Sequence, residues 1–233
     1  MLEIQNIVKT YRSKGNSYPV LKGITANVPD GAFVAVMGPS GSGKTTLLNV
    51  MSGFISADSG SVILDGQNIL TGGEDELSEI RQRKLGFVFQ DFMLLNGLTI
   101  RENIFLPQII IGKSTKEMEK NTEMLLELFG ISEIADKYPA EVSGGQKQRT
   151  SIARALSNNP LIILADEPTG NLDSKSSSTV IEAFGNAKEK MGATIFMVTH
   201  DAFAASYADK VIALKDGIVF GELIRHGEPK EFL

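Results

Sequence analysis

Residues 38–45 read Gly38-Pro39-Ser40-Gly41-Ser42-Gly43-Lys44-Thr45, with an apolar run before them and a helical pattern after them. The run, Phe33-Val34-Ala35-Val36-Met37, predicts a buried strand, and residues 45–51 have the apolar spacing of a helix. Glycines allow sharp turns and let backbone N–H groups close around an anion. Strand, glycine loop and helix in this order predict a phosphate-binding loop.

The loop matches the pattern G-x-x-x-x-G-K-[ST] at every fixed position. We expect Lys44 to reach the terminal phosphates of a nucleotide and Thr45 to place its hydroxyl on Mg²⁺. A purely structural glycine turn is the alternative, and the flanking strand and helix disfavour it. The expected nucleotide contacts here are Gly38, Pro39, Ser40, Gly41, Ser42, Gly43, Lys44, Thr45 and Thr46.

Composition excludes several classes of function. The chain has 233 residues, 42% hydrophobic and 22% charged, which is an ordinary globular mixture. It contains no cysteine and two histidines, which disfavours thiolate chemistry and a histidine-built metal site. A net charge of −5 provides no global basic field, so we expect no nucleic-acid partner. No apolar run is long enough to span a membrane and the first residues lack a signal-peptide pattern, so we expect a soluble protein of a reducing compartment.

Short apolar runs alternate with helical patterns along the rest of the chain. The expected strands are residues 2–7, 20–24, 61–66, 86–89, 161–165, 194–198 and 210–214. The expected helices in the middle of the chain are residues 100–111, 116–129 and 146–157. Alternating strands and helices predict a parallel sheet covered on both faces, and the middle segment predicts a helical insertion into this α/β core.

Two acidic residues follow the apolar run at residues 161–165. A buried acid is costly unless it meets a cation or a proton donor. Asp166 fits a Mg²⁺ ligand at a strand end, where it would act together with Thr45. Glu167 fits the general base for the water that attacks the γ-phosphate. A loop start or helix cap is the alternative, and the glycine loop favours the catalytic interpretation.

A second phosphate site is indicated by Val142-Ser143-Gly144-Gly145-Gln146-Lys147-Gln148-Arg149. Ser-Gly-Gly at a helix start offers a hydroxyl, unhindered N–H groups and the positive end of the helix dipole. An N-capped surface helix is the alternative. Since one nucleotide needs one glycine loop, we expect the second site to serve a nucleotide held by another copy of the chain.

Together these motifs resemble the ATP-binding cassette (ABC) ATPase domains. The glycine loop, residues 142–149, residues 164–168, Asn171-Leu172-Asp173 and Thr199-His200-Asp201 occur in one order in that family, and the resemblance covers nearly the whole chain. It implies an α/β fold with a P-loop NTPase core, a mainly parallel sheet, an N-terminal antiparallel β portion and an inserted α-helical subdomain. It also implies one such domain over residues 1–233, with the helical subdomain at about residues 91–160, and ATP and Mg²⁺ as cofactors.

The resemblance implies further site residues. Tyr11, expected in the loop after the first strand, resembles the aromatic residue that stacks on adenine, with Tyr18 a weaker rival. Gln90 resembles the glutamine that contacts Mg²⁺ and the attacking water and borders the permease contact. His200 resembles the histidine that holds the γ-phosphate, and Asp173 the acid that joins the two sites across the dimer. Contacts to the nucleotide of the second copy are implied for Ser143, Gly144, Gly145 and Gln146.

Finer features resemble the lipoprotein-release and macrolide-efflux branch, and most closely the bacitracin and lantibiotic resistance exporters of Gram-positive bacteria. They lie in residues 83–90, 94–95, 148–151 and 198–207. Asn171 replaces an alanine common in that subgroup, and no chemistry is expected of it. The resemblance implies an ATP-dependent homodimer that docks on a separate integral-membrane permease at the cytoplasmic face of the cell membrane.

Other functions compete with this interpretation. A lipoprotein-release or cell-division ABC ATPase is the alternative within the transporter class. A soluble regulatory P-loop NTPase or a small-molecule kinase would explain the glycine loop but leave residues 142–149 without a role. A DNA-repair ABC protein would carry a long coiled-coil insertion, and a translation factor would carry two cassettes. A non-catalytic ABC module would lack the base, whereas Glu167 and His200 are both present.

Overall fold

The structure, a computed structural model, describes residues 1–227 of the chain. Its strands are β1 (Leu2–Ser13), β2 (Asn16–Val28), β3 (Phe33–Met37), β4 (Ser59–Leu64), β5 (Gln67–Asn68), β6 (Leu85–Phe89), β7 (Ile162–Asp166), β8 (Ile195–Thr199), β9 (Lys210–Lys215) and β10 (Ile218–Ile224). Its α-helices are α1 (Lys44–Met51), α2 (Glu74–Arg83), α3 (Ile100–Ile110), α4 (Thr115–Leu128), α5 (Gly144–Leu156), α6 (Ser174–Met191) and α7 (Ala202–Ser206). The chain forms two compact units, Met1–Ile80 with the chain from Thr194 onward, and Arg81–Ala193.

The first unit contains an antiparallel sheet with the strand order β2-β1-β4-β5. β1 and β2 form a long hairpin whose two turn residues, Lys14 and Gly15, have φ angles of +50° and +82°. Left-handed angles at both positions are those of the tight hairpin turn that matches strand twist. β1 is irregular at Asn6, where φ is +50°, and a Cβ on Gly60 would lie 2.5 Å from the Asn6 carbonyl oxygen. This close approach requires glycine in β4.

The same unit holds a second group of strands in the order β10-β9-β3-β8. β3 pairs in parallel with both β8 and β9, and β10 pairs antiparallel to β9. Four consecutive residues of β3, Phe33, Val34, Ala35 and Val36, are fully buried, as expected of a parallel strand covered on both faces. α1 packs against β8. The glycine loop therefore leaves the end of a strand that is fixed from both sides.

The second unit consists of the parallel strands β6 and β7 and the helices α3 to α6. α5 packs against β6, α3, α4 and α6. Three of the helices start with a capping box, in which a hydroxyl residue and a Glu or Gln three positions later bond each other's backbone N–H groups. The boxes are Thr99 with Glu102, Ser114 with Glu117, and Ser143 with Gln146. α3, α4 and α5 lie inside the range 91–160 for which a helical subdomain was predicted. The subdomain boundary stays a prediction.

The predicted α/β fold class is confirmed, since the chain combines an antiparallel β portion with parallel strands and helices. The elements that were not predicted include the polar helix α2, the two-residue strand β5 and the exposed strand β10. Among residues 1–227, no helix is both long and apolar enough to cross a bilayer.

Candidate nucleotide-binding site

The glycine loop lies between β3 and α1, and the side chain of Lys44 bonds back to the start of the loop. The Lys44 ammonium donates hydrogen bonds to the carbonyl oxygens of Gly38 (2.8 Å) and Pro39 (3.2 Å), and the side chain is buried. A Cβ on Gly38 would lie 2.1 Å from the Leu214 carbonyl oxygen. Gly43, at φ +104°, would place a Cβ 2.9 Å from Leu21. The predicted glycines are therefore required by the geometry of this loop.

The loop also carries an unpaired buried hydroxyl. Among the described residues, the Ser42 Oγ has no hydrogen-bond partner, although it is buried. A buried polar atom without a partner costs free energy, and a phosphate oxygen is an acceptor suited to it. Pro39, Ser40 and Gly41 are exposed, Thr45 is exposed, and Thr46 is half-buried in α1. The loop thus fits a phosphate group.

Tyr11 is placed differently from the prediction. It lies inside β1 and not in a loop after the first strand, because the hairpin ladder continues to Ser13. Tyr11 pairs directly with Tyr18 of β2, and both side chains are exposed, by 43% and 52%. Directly paired residues of antiparallel strands face the same side, so both rings are presented together. The Lys9 ammonium lies 5.7 Å from the centre of the Tyr11 ring.

His200 follows β8 directly and is exposed. The next residue, Asp201, caps the short helix α7 by accepting a hydrogen bond from the Phe203 N–H (2.9 Å). The Asp201 N–H in turn donates to the Thr199 hydroxyl (3.0 Å). These bonds fix the backbone on both sides of His200, at the same end of the parallel strands from which the glycine loop leaves β3.

In the second unit, the ends of β6 and β7 bring Gln90 and the two acids together. Phe89 is paired with Asp166, so Gln90 and Glu167 both follow at the same edge. Glu167 has a φ of +45°, an uncommon conformation for a non-glycine residue that is concentrated at functional sites. Amide, carboxylate and hydroxyl oxygens are ligands that Mg²⁺ accepts alongside phosphates and water. The predicted donors of this unit, Gln90 and Asp166, therefore fit Mg²⁺ by their chemistry, and the Thr45 hydroxyl of the glycine loop is a donor of a suitable kind.

A buried glutamine links the two segments that leave these strands. The Gln148 amide of α5 donates to the carbonyl oxygens of Phe89 (3.1 Å) and Pro168 (2.8 Å), and its side chain is fully buried. It therefore fixes the chain immediately before Gln90 and immediately after Glu167.

The predicted second phosphate site is the start of α5. The Ser143 hydroxyl accepts from the Gln146 N–H (3.3 Å), and the Gln146 side chain accepts from the Ser143 N–H (2.9 Å). A Cβ on Gly144 would lie 3.0 Å from Leu172, and one on Gly145 would lie 3.2 Å from Ser176. Glycines are thus needed here for close packing as well as for access to the helix N–H groups.

Asp173 caps α6 on the same unit. Its carboxylate accepts from the Ser176 hydroxyl (2.6 Å) and from the N–H groups of Ser176 (3.0 Å) and Lys175 (3.1 Å). The Ser176 side chain contributes most to holding the pKa of Asp173 below its usual range. Asp173 is exposed and ionised at neutral pH.

Three polar side chains near this edge were not among the predicted site residues, namely Gln148, Arg154 and Asn171. Half-buried Arg154 of α5 donates to the carbonyl oxygens of Phe92 (3.0 Å) and Met93, both of which have left-handed φ angles. Burial lowers the pKa of Arg154 to about 10, so the side chain remains charged at neutral pH. No local pattern identifies these contacts, because each joins segments that are far apart in sequence.

A glycine loop between a parallel strand and a helix, with acids at the end of another parallel strand, defines the class of P-loop nucleotide-binding proteins. The ABC transporter family model matches residues 21–170. The chain belongs to the ABC transporter family, as an ATP-binding cassette.

Individual relatives agree with this assignment. The bacitracin export ATP-binding protein BceA of Halalkalibacterium halodurans is 48% identical over 231 residues, 99% of this chain and 91% of that protein. The lipoprotein-releasing system ATP-binding protein LolD of Aquifex aeolicus is 42% identical over 225 residues, 97% of this chain and 98% of that protein. The dimeric post-hydrolysis structure of the cassette MJ0796, from Methanocaldococcus jannaschii, with ADP and Pi has a TM-score of 0.88 at 40% identity, covering 97% of this chain and 100% of that chain.

These relatives establish the activity at the level of the family. The chain is an ATP-binding subunit of an ABC transporter and an ATPase. ATP-binding subunits of this family form dimers and work with membrane permeases.

Proposed function

We propose that this chain hydrolyses Mg²⁺-ATP as a head-to-tail homodimer and thereby drives a separate permease in antimicrobial-peptide resistance. The observation that carries the proposal is that the chain has two glycine-bearing helix starts, α1 after the glycine loop and α5 after Ser143. At each helix start, backbone N–H groups and the positive end of the helix dipole favour the binding of an anion. A soluble regulatory NTPase would leave the start of α5 without a function.

Each predicted residue has a role in this reaction. Lys44 binds the terminal phosphates, and Thr45, Gln90 and Asp166 are oxygen donors for Mg²⁺, which neutralises phosphate charge when bound. Glu167 accepts a proton from the attacking water, and His200 donates a hydrogen bond to the γ-phosphate. The exposed ring of Tyr11 stacks on adenine, with Tyr18 beside it. Asp173 and Ser143-Gly144-Gly145-Gln146 meet the second copy.

The head-to-tail dimer is tested by mixing two inactive variants. Lys44→Ala removes the phosphate cation of one half-site, and Ser143→Arg blocks the α5 start of the other. In a mixed dimer one site carries both changes and the other carries neither, so ATPase activity returns on mixing. Absence of activity while crosslinking shows that mixed dimers form would contradict composite sites. Full activity of either variant alone would contradict the dimer itself.

The permease contact is proposed at an apolar groove of about 320 Å³ in the second unit. Its apolar lining includes Phe87, Phe89, Met93, Leu106 and Ile110, and polar side chains such as Arg154 and Asn158 complete it. Its apolar walls suit a short amphipathic helix of the permease, and it begins directly before Gln90. This contact places the chain at the cytoplasmic face of the membrane.

Two neighbouring isoleucines at the end of α3 give a matched test of this contact. Ile110 lines the groove, Ile109 does not, and the two are exposed by 58% and 56%. Ile110→Glu is expected to abolish co-purification of the co-expressed permease, whereas Ile109→Glu retains it. The ATPase activity of the free subunit is unchanged in both variants. Equal loss in both variants would contradict docking in the groove.

The substrate class is supported by the relative named for bacitracin export, at 48% identity, against 42% for the lipoprotein-releasing relative. Deletion of the gene is expected to sensitise the host to bacitracin, and the wild-type gene to restore resistance where Glu167→Gln does not. Unchanged sensitivity together with defective lipoprotein release would favour the alternative function.

A further inference from the structure

The segment that follows β6 is held by an asparagine that the nucleotide chemistry does not use. Asn171 lies 81 residues after Gln90, and the two side chains are hydrogen-bonded, with the Gln90 Nε2 donating to the Asn171 Oδ1 (3.0 Å). The Asn171 Nδ2 donates to the Asp91 Oδ1 (2.8 Å) and to the Gln90 carbonyl oxygen (3.3 Å). The side chain of Asn171 therefore contacts both the side chain and the backbone of Gln90.

The hydrogen bond to the Asp91 carboxylate determines the orientation of both amides. An ionised carboxylate can only accept hydrogen bonds, so the NH₂ group of Asn171 must face Asp91. The side-chain oxygen of Asn171, Oδ1, then faces Gln90 and can only accept a hydrogen bond. The NH₂ group of Gln90 must therefore point toward it. The remaining end of the Gln90 side chain is its Oε1. Since Mg²⁺ binds amide oxygen and not amide nitrogen, this orientation leaves the metal-binding atom available.

Local packing restricts Gln90 further. A Cβ on Gly170 would lie 2.9 Å from the Gln90 Nε2 and 3.0 Å from its Cδ, so the Gln90 amide rests directly on the glycine backbone. Gln148 fixes the carbonyl oxygen of Phe89, the residue before Gln90. Three contacts thus position the side chain of Gln90. Gln148 fixes the preceding backbone, Asn171 accepts from its NH₂ group, and the backbone of Gly170 packs against its amide.

We infer that Asn171, oriented by Asp91, is a positioning residue that presents the Gln90 amide oxygen to the divalent cation. The inference rests on the proposed role of Gln90 as a Mg²⁺ donor. In this role Asn171 acts through Gln90 and not on the nucleotide or the metal. Because both amides are exposed, the effect of the pair is moderate.

The test measures Mg²⁺-dependent ATP binding without turnover. In a Glu167→Gln background, binding of a fluorescent ATP analogue is titrated with Mg²⁺ for Asn171→Ala, Gln90→Ala and the double variant. The control is Asn186→Ala, the same change at a half-buried position of α6. Asn171→Ala is expected to raise the Mg²⁺ concentration for half-saturation about three- to tenfold, the range that one net hydrogen bond gives. Asp91→Asn is expected to raise the Mg²⁺ concentration for half-saturation as well, but by less than Asn171→Ala does. Mg²⁺-free binding of the analogue and the Asn186→Ala titration stay unchanged.

The double variant separates positioning from other effects. If Asn171 acts through Gln90, Asn171→Ala adds nothing in the Gln90→Ala background. An equal shift in that background overturns the inference, as does an altered Mg²⁺-free affinity of Asn171→Ala, which would indicate structural damage. If Gln90→Ala shifts the Mg²⁺ dependence and Asn171→Ala does not, the inference fails while the role of Gln90 stands. If Gln90→Ala has no effect, the proposed role of Gln90 fails first.

Discussion

At the scale of single residues, Glu167 combines a proposed chemical role with an unfavourable backbone conformation. Glu167 follows directly after the buried strand β7 and has a φ of +45°. Such a conformation costs about 1–3 kcal/mol in a non-glycine residue. The carbonyl oxygen of Glu167 accepts from the Gly170 N–H (3.0 Å), which closes a tight turn around the residue. The turn orients the side chain that we propose as the general base.

The first prediction concerns this carboxylate. Glu167→Gln keeps size and polarity but cannot accept a proton, so the ATPase rate is expected to fall about 10²–10⁴-fold while ATP binding persists. The rate is measured by phosphate release and the binding by equilibrium dialysis. Glu182→Gln, the same change at an exposed position of α6, serves as the control and keeps the wild-type rate. A Glu167→Gln rate equal to wild type would exclude Glu167 as the base.

The second prediction concerns the adenine. Stacking on an aromatic ring contributes about 1–3 kcal/mol per base, so Tyr11→Ala raises the ATP dissociation constant by about five- to 150-fold. Tyr11→Phe keeps the ring and changes the dissociation constant little. Tyr18→Ala is the matched comparison, because Tyr18 is the cross-strand partner of Tyr11. A larger loss for Tyr18→Ala than for Tyr11→Ala would transfer the adenine contact to β2.

At the scale of elements, the cap of α6 gives the third prediction, which concerns acid stability. The lowered pKa of Asp173 means that its ionised form favours the folded state. This contribution is complete above the unfolded-state pKa, about 4, and is lost as the pH falls through the lower folded-state value. Asp173→Asn retains a good cap without a titrating group. The Tm of wild type minus that of Asp173→Asn is therefore expected to decrease as the pH falls below about 4. A difference independent of pH would contradict the lowered pKa.

The elements also show what could be predicted from the sequence. The buried parallel strands and the helices α3, α4 and α5 were predicted to within about two residues, because their apolar periodicity is strong. The extension of β1 to Ser13 was missed, since the exposed residues near the hairpin turn show no alternation and depend on pairing with β2. α2 was missed because it is almost entirely polar, with Ile80 its buried residue.

In the candidate site, too, features set by local sequence could be predicted and features set by long-range contacts could not. Residues within motifs, such as Lys44 and Glu167, could be proposed for the site because their spacing is local, and their roles stay predictions. The bond between Gln90 and Asn171 could not, since it depends on the parallel register of β6 and β7 and on the loop after Glu167. Contacts between distant segments require the tertiary structure.

At the scale of the whole molecule, ligand binding is linked to stability, which gives the fourth prediction. ATP at about 100 times its dissociation constant stabilises the folded state by about 2.7 kcal/mol, which for a chain of this size raises the Tm by roughly 5–10 °C. Lys44→Ala is expected to remove most of this shift in Tm. With the wild-type protein, AMP is expected to give a smaller shift than ATP, because AMP lacks the terminal phosphates. Thermal denaturation at several ATP concentrations measures the effect. An equal shift for ATP and AMP would contradict a phosphate-dominated site.

The contact between Gly38 and the Leu214 carbonyl oxygen bears on how distant relatives should be interpreted. A methyl group at position 38 would collide with the protein's own backbone at 2.1 Å, whether or not a nucleotide is bound. A descendant that had lost ATP hydrolysis would still need this glycine in order to fold. Retention of Gly38 in a degenerate paralogue is therefore no sign of an intact enzyme. Replacement of Lys44 or Glu167, whose side chains we propose to serve the reaction, is the more informative mark of lost activity.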